Sequence, residues 1–173
     1  AVRGGAPPSG GSIVLCGNPG SFTGSAAPVK EAPTQSKLEQ LRSGGAAAEA
    51  GQLSFAELEW SDADGVALVG ALHAAHERGG LQQLETLHLR DNQMGDETAA
   101  ALASLLEAGA MPKLKELGLN RNQIGEAGMA ALASAVRGGA LPSCETIILA
   151  GNPGSAAPVE EAAAQRGGMR VYG

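Results

Sequence analysis

Aromatic residues are scarce in this chain, with one Trp, one Tyr and two Phe among 173 residues. Few rings are available to stack on bases, and the twelve Lys and Arg are scattered under a net charge of −6, so nucleic acid is excluded as the expected partner. Only two cysteines are present, Cys16 and Cys144. That is too few for a disulfide framework, and a reducing compartment fits best, the cytoplasm first or an organelle if a leader lies upstream. No apolar run approaches the roughly 20 residues needed to cross a bilayer, and no charged-then-apolar leader is present in the chain. Glycine, at 26 residues, is by contrast abundant. A chain of this length buries roughly 70% of its unfolded surface as one domain.

What the chain has is a repeat. LETLHLRDNQMG from Leu84, LKELGLNRNQIG from Leu114 and CETIILAGNPG from Cys144 follow one another at a spacing of thirty residues. Leu87, Leu117 and Ile147 fall in register, as do Leu89, Leu119 and Leu149, and then Asn92, Asn122 and Asn152. A period of this length is the mark of a solenoid. Each apolar–polar–apolar triplet is a strand too short to bury anything alone. The Asn amide that follows can both donate and accept, so stacked copies form a ladder at the turn. Helical stretches are expected over Glu97–Glu107 and Ala127–Arg137, with Leu102, Leu105 and Leu106, or Met129, Leu132 and Val136, on one stripe. Gly109, or Gly138 with Gly139, ends each helix.

This pattern, L-x-x-L-x-L-x-x-N-x-[IM]-G before an Ala- and Leu-rich helix, resembles the ribonuclease-inhibitor-like class of leucine-rich repeats. The resemblance is carried by residues 81–140. It implies an α/β solenoid, a curved stack of strand–turn–helix repeats with a parallel sheet on the concave side, and it implies a protein-binding role. Cofactors and metals are not expected.

Fainter copies extend the array. Phe55, Leu58 and Trp60 match Leu84, Leu87 and Leu89 at a spacing of twenty-nine; with one residue missing in the turn, Asp62 takes the Asn position, and Val69 and Leu72 carry the helix stripe. The expected organisation is a divergent first repeat with an insertion and linker at 1–52, then an array at 53–173. Its repeats lie near 53–80, 81–110, 111–140 and 141–168, with an edge strand at 169–172. Residues 1–21 also match residues 135–155 at fifteen of twenty-one positions without a gap. Ala1 thereby corresponds to Ala135 inside a helix, and the chain reads as a segment of a longer repeat protein.

Several motifs suggest chemistry and fail on spacing. Gly17-Asn18-Pro19-Gly20 after Ile13-Val14-Leu15 resembles a phosphate loop but lacks its Lys-[Ser/Thr] ending. Asp62-Ala63-Asp64-Gly65 has no bidentate Glu at the distance a calcium loop requires. His73, His76 and Glu77 do not match zinc-protease spacing. Cys144 stands at a repeat leucine position and reads as a small buried hydrophobe.

Alternation points to the functional surface. With Leu87 and Leu89 inward, Thr86, His88 and Arg90 face the concave side. By register so do Glu116, Gly118 and Asn120, then Thr146, Ile148 and Ala150, and Glu57, Glu59 and Ser61. The partner-binding residues expected are Glu57, Glu59, His88, Arg90, Glu116, Asn120, Arg121 and Ile148. Asp62, Asn92, Asn122 and Asn152 are expected as structural turn positions. The function expected is a non-catalytic interaction scaffold, or a structural subunit of a larger assembly, with one or more protein partners. The alternative is a regulatory protein, such as a small-GTPase activator, for which Arg90, Asp91, Asn120 and Arg121 form the available polar cluster, or the ligand-sensing end of a receptor.

Overall fold

The computed structural model describes residues 13–14, 38–39, 41 and 50–173. Cys16, the loop at 17–20 and most of the 1–52 unit lie outside the described residues. Among the described residues six parallel strands stand side by side in chain order. They are β1 (Ile13–Val14), β2 (Gln52–Ser54), β3 (Thr86–His88), β4 (Glu116–Gly118), β5 (Thr146–Ile148) and β6 (Arg170–Tyr172). Four helices return the chain between the later strands: α1 (Asp62–Glu77), α2 (Asp96–Glu107), α3 (Glu126–Arg137) and α4 (Ala157–Arg166). A strand of three residues buries one central side chain, so each repeat depends on its neighbours for a core. Leu53, Leu87, Leu117, Ile147 and Val171 align across the sheet. Leu102, Leu105 and Leu106 on α2, and Met129, Leu132 and Val136 on α3, are buried behind them. Gly79, Gly109 and Gly139 take φ of 80°, 73° and 84° where the helices end, a left-handed turn that costs glycine least.

The asparagines form the expected ladder. Asn122 is buried; its Nδ2 donates to the carbonyls of Leu89 (2.9 Å) and Leu119 (3.0 Å), and its Oδ1 accepts from the Met94 N–H (3.1 Å). Asn92 binds Phe55 O, Leu89 O and the N–H groups of Leu58 and Trp60 in the same way. Asn152 does so with Leu119 O, Leu149 O and the Ile124 N–H. Each carbonyl of Leu89 and Leu119 therefore receives amides from two successive repeats.

The first full repeat departs from its expected register. Leu53 pairs with Leu87, an offset of thirty-four rather than the offset implied by matching Phe55 to Leu84. Phe55 then stands at the Leu89 position, its N–H donating to His88 O. Half-buried Leu58 takes the Asn position, and Trp60 the Met94 position. The extra residues are one helical turn: α1 has 16 residues where α2 and α3 have 12. The mismatch has a simple origin. Strand leucines and the following turn share the spacing three-then-two, and with Leu in place of Asn the turn imitates a strand.

Asp62 is accordingly not a turn residue in the Asn series. It is the first residue of α1, in register with Asp96 and Glu126, and these three form a second ladder. Asp62 Oδ1 accepts from the N–H groups of Gly95 (2.9 Å) and Thr98 (2.8 Å) and from the Thr98 hydroxyl. Asp96 Oδ1 accepts from Gly125 N–H (2.7 Å) and Gly128 N–H (2.9 Å). Glu126 Oε1 accepts from Ser155 N–H at 3.0 Å. Helices α2 and α3 begin at glycines with no side chain to cap them, and the preceding repeat supplies the cap instead. Burial pushes the Asp62 carboxyl up, but hydrogen bonds from the Thr98 hydroxyl and from the N–H groups of Thr98, Gly95 and Glu97 outweigh it, holding its pKa below the ordinary value.

Candidate protein-binding surface

Strand alternation turns Leu53, Leu87, Leu117, Ile147 and Val171 inward and leaves their neighbours on the open face of the sheet. Two rows cross this face in register. The first is Gln52, Thr86, Glu116, Thr146 and Arg170; the second is Ser54, His88, Gly118, Ile148 and Tyr172. Beyond them a third row holds Ala56, Arg90, Asn120 and Ala150. Past that runs a crest where Glu57, Asp91, Arg121 and Gly151 take φ of 59°, 57°, 55° and 79°. Left-handed backbone at three side-chain-bearing residues costs of order 1 kcal/mol each. The crest persists because the backbone bonds from Glu57 N–H to Arg90 O, Asp91 N–H to Asn120 O and Arg121 N–H to Ala150 O fix it repeat by repeat.

The sequence-derived site residues divide on this surface. His88, Arg90, Glu116, Asn120 and Ile148 lie on the sheet rows. Glu57 and Arg121 lie on the crest, and Glu59, also at positive φ, follows in the turn. The expected strip of Glu57, Glu59 and Ser61 on the concave strand is corrected by the register: Gln52, Ser54 and Ala56 hold those positions, and Ser61 caps α1. Arg170 and Tyr172, which sequence reasoning did not include, join the face through β6; apolar–polar alternation in the tail was the available signal.

The charges interlock. Glu57 Oε1 lies 3.1 Å from Arg90 Nη2, Arg90 Nη1 lies 2.9 Å from Asp91 Oδ2, and Arg121 Nη1 lies 3.3 Å from Asp91 Oδ1. His88 Nε2 lies 3.0 Å from Glu116 Oε1. The His88 ring leans over Gly118, where an added Cβ would stand 3.0 Å from His88 Cδ2. Cys144 is buried beneath the sheet, and burial is the main cause that pushes its thiol up to about 11. His73, His76 and Glu77 lie on α1, and no group of three His, Cys, Asp or Glu positioned to hold a metal occurs among the described residues. No described helix is long and apolar enough to cross a membrane.

A family model described as Leucine Rich repeat matches residues 81–103 and 110–133, the two repeats with both ladders intact. With the parallel sheet and its alternating helices, this shows leucine-rich repeats at those residues within an α/β repeat solenoid. Among solved structures, the tropomodulin C-terminal domain from structural genomics of Caenorhabditis elegans matches with a TM-score of 0.60 and 16% identity, over 81% of this chain and 81% of that one. At that identity the likeness is one of fold. No curated protein matches the chain.

Proposed function

We propose that the chain is a non-catalytic protein–protein interaction module, a segment of a longer scaffold or a structural subunit of an assembly, with its concave face turned to the partner. The observation that supports this is the contrast between frame and face. Leucines, ladder asparagines and turn glycines recur from repeat to repeat, whereas the concave triplets read Thr-His-Arg, Glu-Gly-Asn and Thr-Ile-Ala. A constant frame under a varied surface suits one specific partner. Glu57, Glu59, His88, Arg90, Glu116, Asn120, Arg121 and Ile148 are the residues of this reading, and an intracellular reducing compartment belongs to it. Regulation of a small GTPase is less favoured, because Arg90 is held between Glu57 and Asp91.

Affinity purification from the native source tests the reading. The pair swap E57R/R90E reverses two face charges and keeps their mutual ion pair, at the loss of the exposed Arg90–Asp91 contact. It is expected to abolish recovery of the partner while lowering stability by no more than about 1 kcal/mol. Full recovery with the swap, and loss with A130E on exposed α3, would place the interface on the helical side.

A further inference from the structure

We infer that the β4–β6 end of the concave face anchors a partner segment that is acidic at both ends and apolar between them. This rests on the concave face being the partner surface and specifies which part of it is used and for what chemistry. The open floor lies on β5 and β6, since Ser54 and Ala56 at the β2 end are buried and Gly118 on β4 is buried beneath the His88 ring. Here the second row runs Gly118, Ile148, Tyr172. Tyr172 is 51% exposed; the other exposed large hydrophobic among the described residues, Val66, sits on α1. Side by side at the roughly 4.8 Å strand spacing, Ile148 and Tyr172 make a shallow apolar strip. Apolar and aromatic area of this kind carries binding energy at interface centres.

Charge selects the flanks. The carboxylates of the face are engaged: Glu57 by Arg90, Glu116 by His88, and Asp91 by both Arg90 and Arg121. The cations at this end are not compensated to the same degree. Arg170 is exposed with no ion pair among the described residues, and the Arg121 side chain is 74% exposed with one contact at 3.3 Å. Arg170 lies in the first row of β6 and Arg121 on the crest beyond β4, so the apolar strip lies between them. Two strands across and about five residues along, they stand roughly 19 Å apart. An extended segment of about six residues, or three to four turns of helix, spans that distance. Guanidinium groups so placed suit carboxylates, each able to take one bidentately.

Selection of a phage-displayed random twelve-residue peptide library on the immobilised chain tests this. Enriched peptides are expected to carry Asp or Glu on both sides of a large apolar residue. Their affinity should fall at least tenfold with R170E and with Y172A, both exposed and free of core contacts, and several-fold between 50 and 300 mM salt. A130E should leave it unchanged. Enrichment of basic peptides, or of none, overturns the inference. Acidic–apolar peptides that are lost with E57R/R90E but not with R170E or Y172A overturn this placement and leave the concave reading standing. Peptides lost only with A130E overturn both.

Discussion

Replacement of Asn122 by Ala isolates the contribution of one rung of the ladder. The carbonyls of Leu89 and Leu119 each keep a second donor, from Asn92 and Asn152, so they lose a bond without being orphaned. The Met94 N–H loses its side-chain acceptor in a buried turn. Two lost bonds at about 0.5–1.5 kcal/mol each, and one buried unsatisfied donor at about 1–3 kcal/mol, give a cost of roughly 2–6 kcal/mol. With an m-value of about 2 kcal/mol/M, the urea midpoint should fall by about 1–3 M. Because Leu89 O is shared, N92A/N122A should cost about 1 kcal/mol more than the sum of the single variants, the second change leaving that carbonyl bare. Equilibrium unfolding followed by circular dichroism measures all three. A single-variant loss below about 0.5 kcal/mol, or strict additivity in the double variant, would refute the shared ladder.

The remaining expectations concern the helices and the core. In G65A the new Cβ would clash with the Thr98 hydroxyl, and that clash of about 1–3 kcal/mol should exceed the roughly 1 kcal/mol gain in helix propensity. G70A has open space around it and should stabilise by about 0.5–1 kcal/mol, so thermal melts of the pair should move in opposite directions. Because the folded pKa of Asp62 is depressed, its contribution is present above the ordinary carboxylate range and is lost as pH falls through the lowered folded value. D62A should cost about 0.5–2 kcal/mol at neutral pH and flatten the acid limb of the stability–pH curve. A parallel limb in D62A would contradict this. Cys144, with its thiol raised to about 11, should resist iodoacetamide at pH 7.5 until the protein unfolds; peptide mapping of alkylated and untreated samples reports it.

Between Leu81 and Asn152 the repeat was legible because each copy keeps the leucines, the ladder asparagine and the period together. Alternation there placed His88, Arg90, Glu116 and Ile148 on the concave face. Before Leu81 the same reasoning slipped, since Leu58 in the Asn position makes a turn look like a strand and a longer α1 shifts the period. The acidic ladder left a trace in the recurring pairs Ser61-Asp62, Gly95-Asp96 and Gly125-Glu126. What it does there is tertiary: a residue one repeat away caps the next helix, and spacing alone does not encode that reach. Arg170 and Tyr172 were read only as an edge, because their place on the face depends on pairing with β5. The linked pairs Glu57–Arg90 and His88–Glu116 join residues about thirty positions apart and likewise depend on the sheet register.

A photo-reactive benzoylphenylalanine placed at Thr146 on the concave face, and separately at exposed Ala130 on α3, tests the central claim most directly. Irradiated in extract from the native source, the Thr146 variant is expected to yield a discrete adduct with one partner protein, and the Ala130 variant none. An adduct from Ala130 alone, or from neither position while the partner still co-purifies, would contradict a binding role for the concave face.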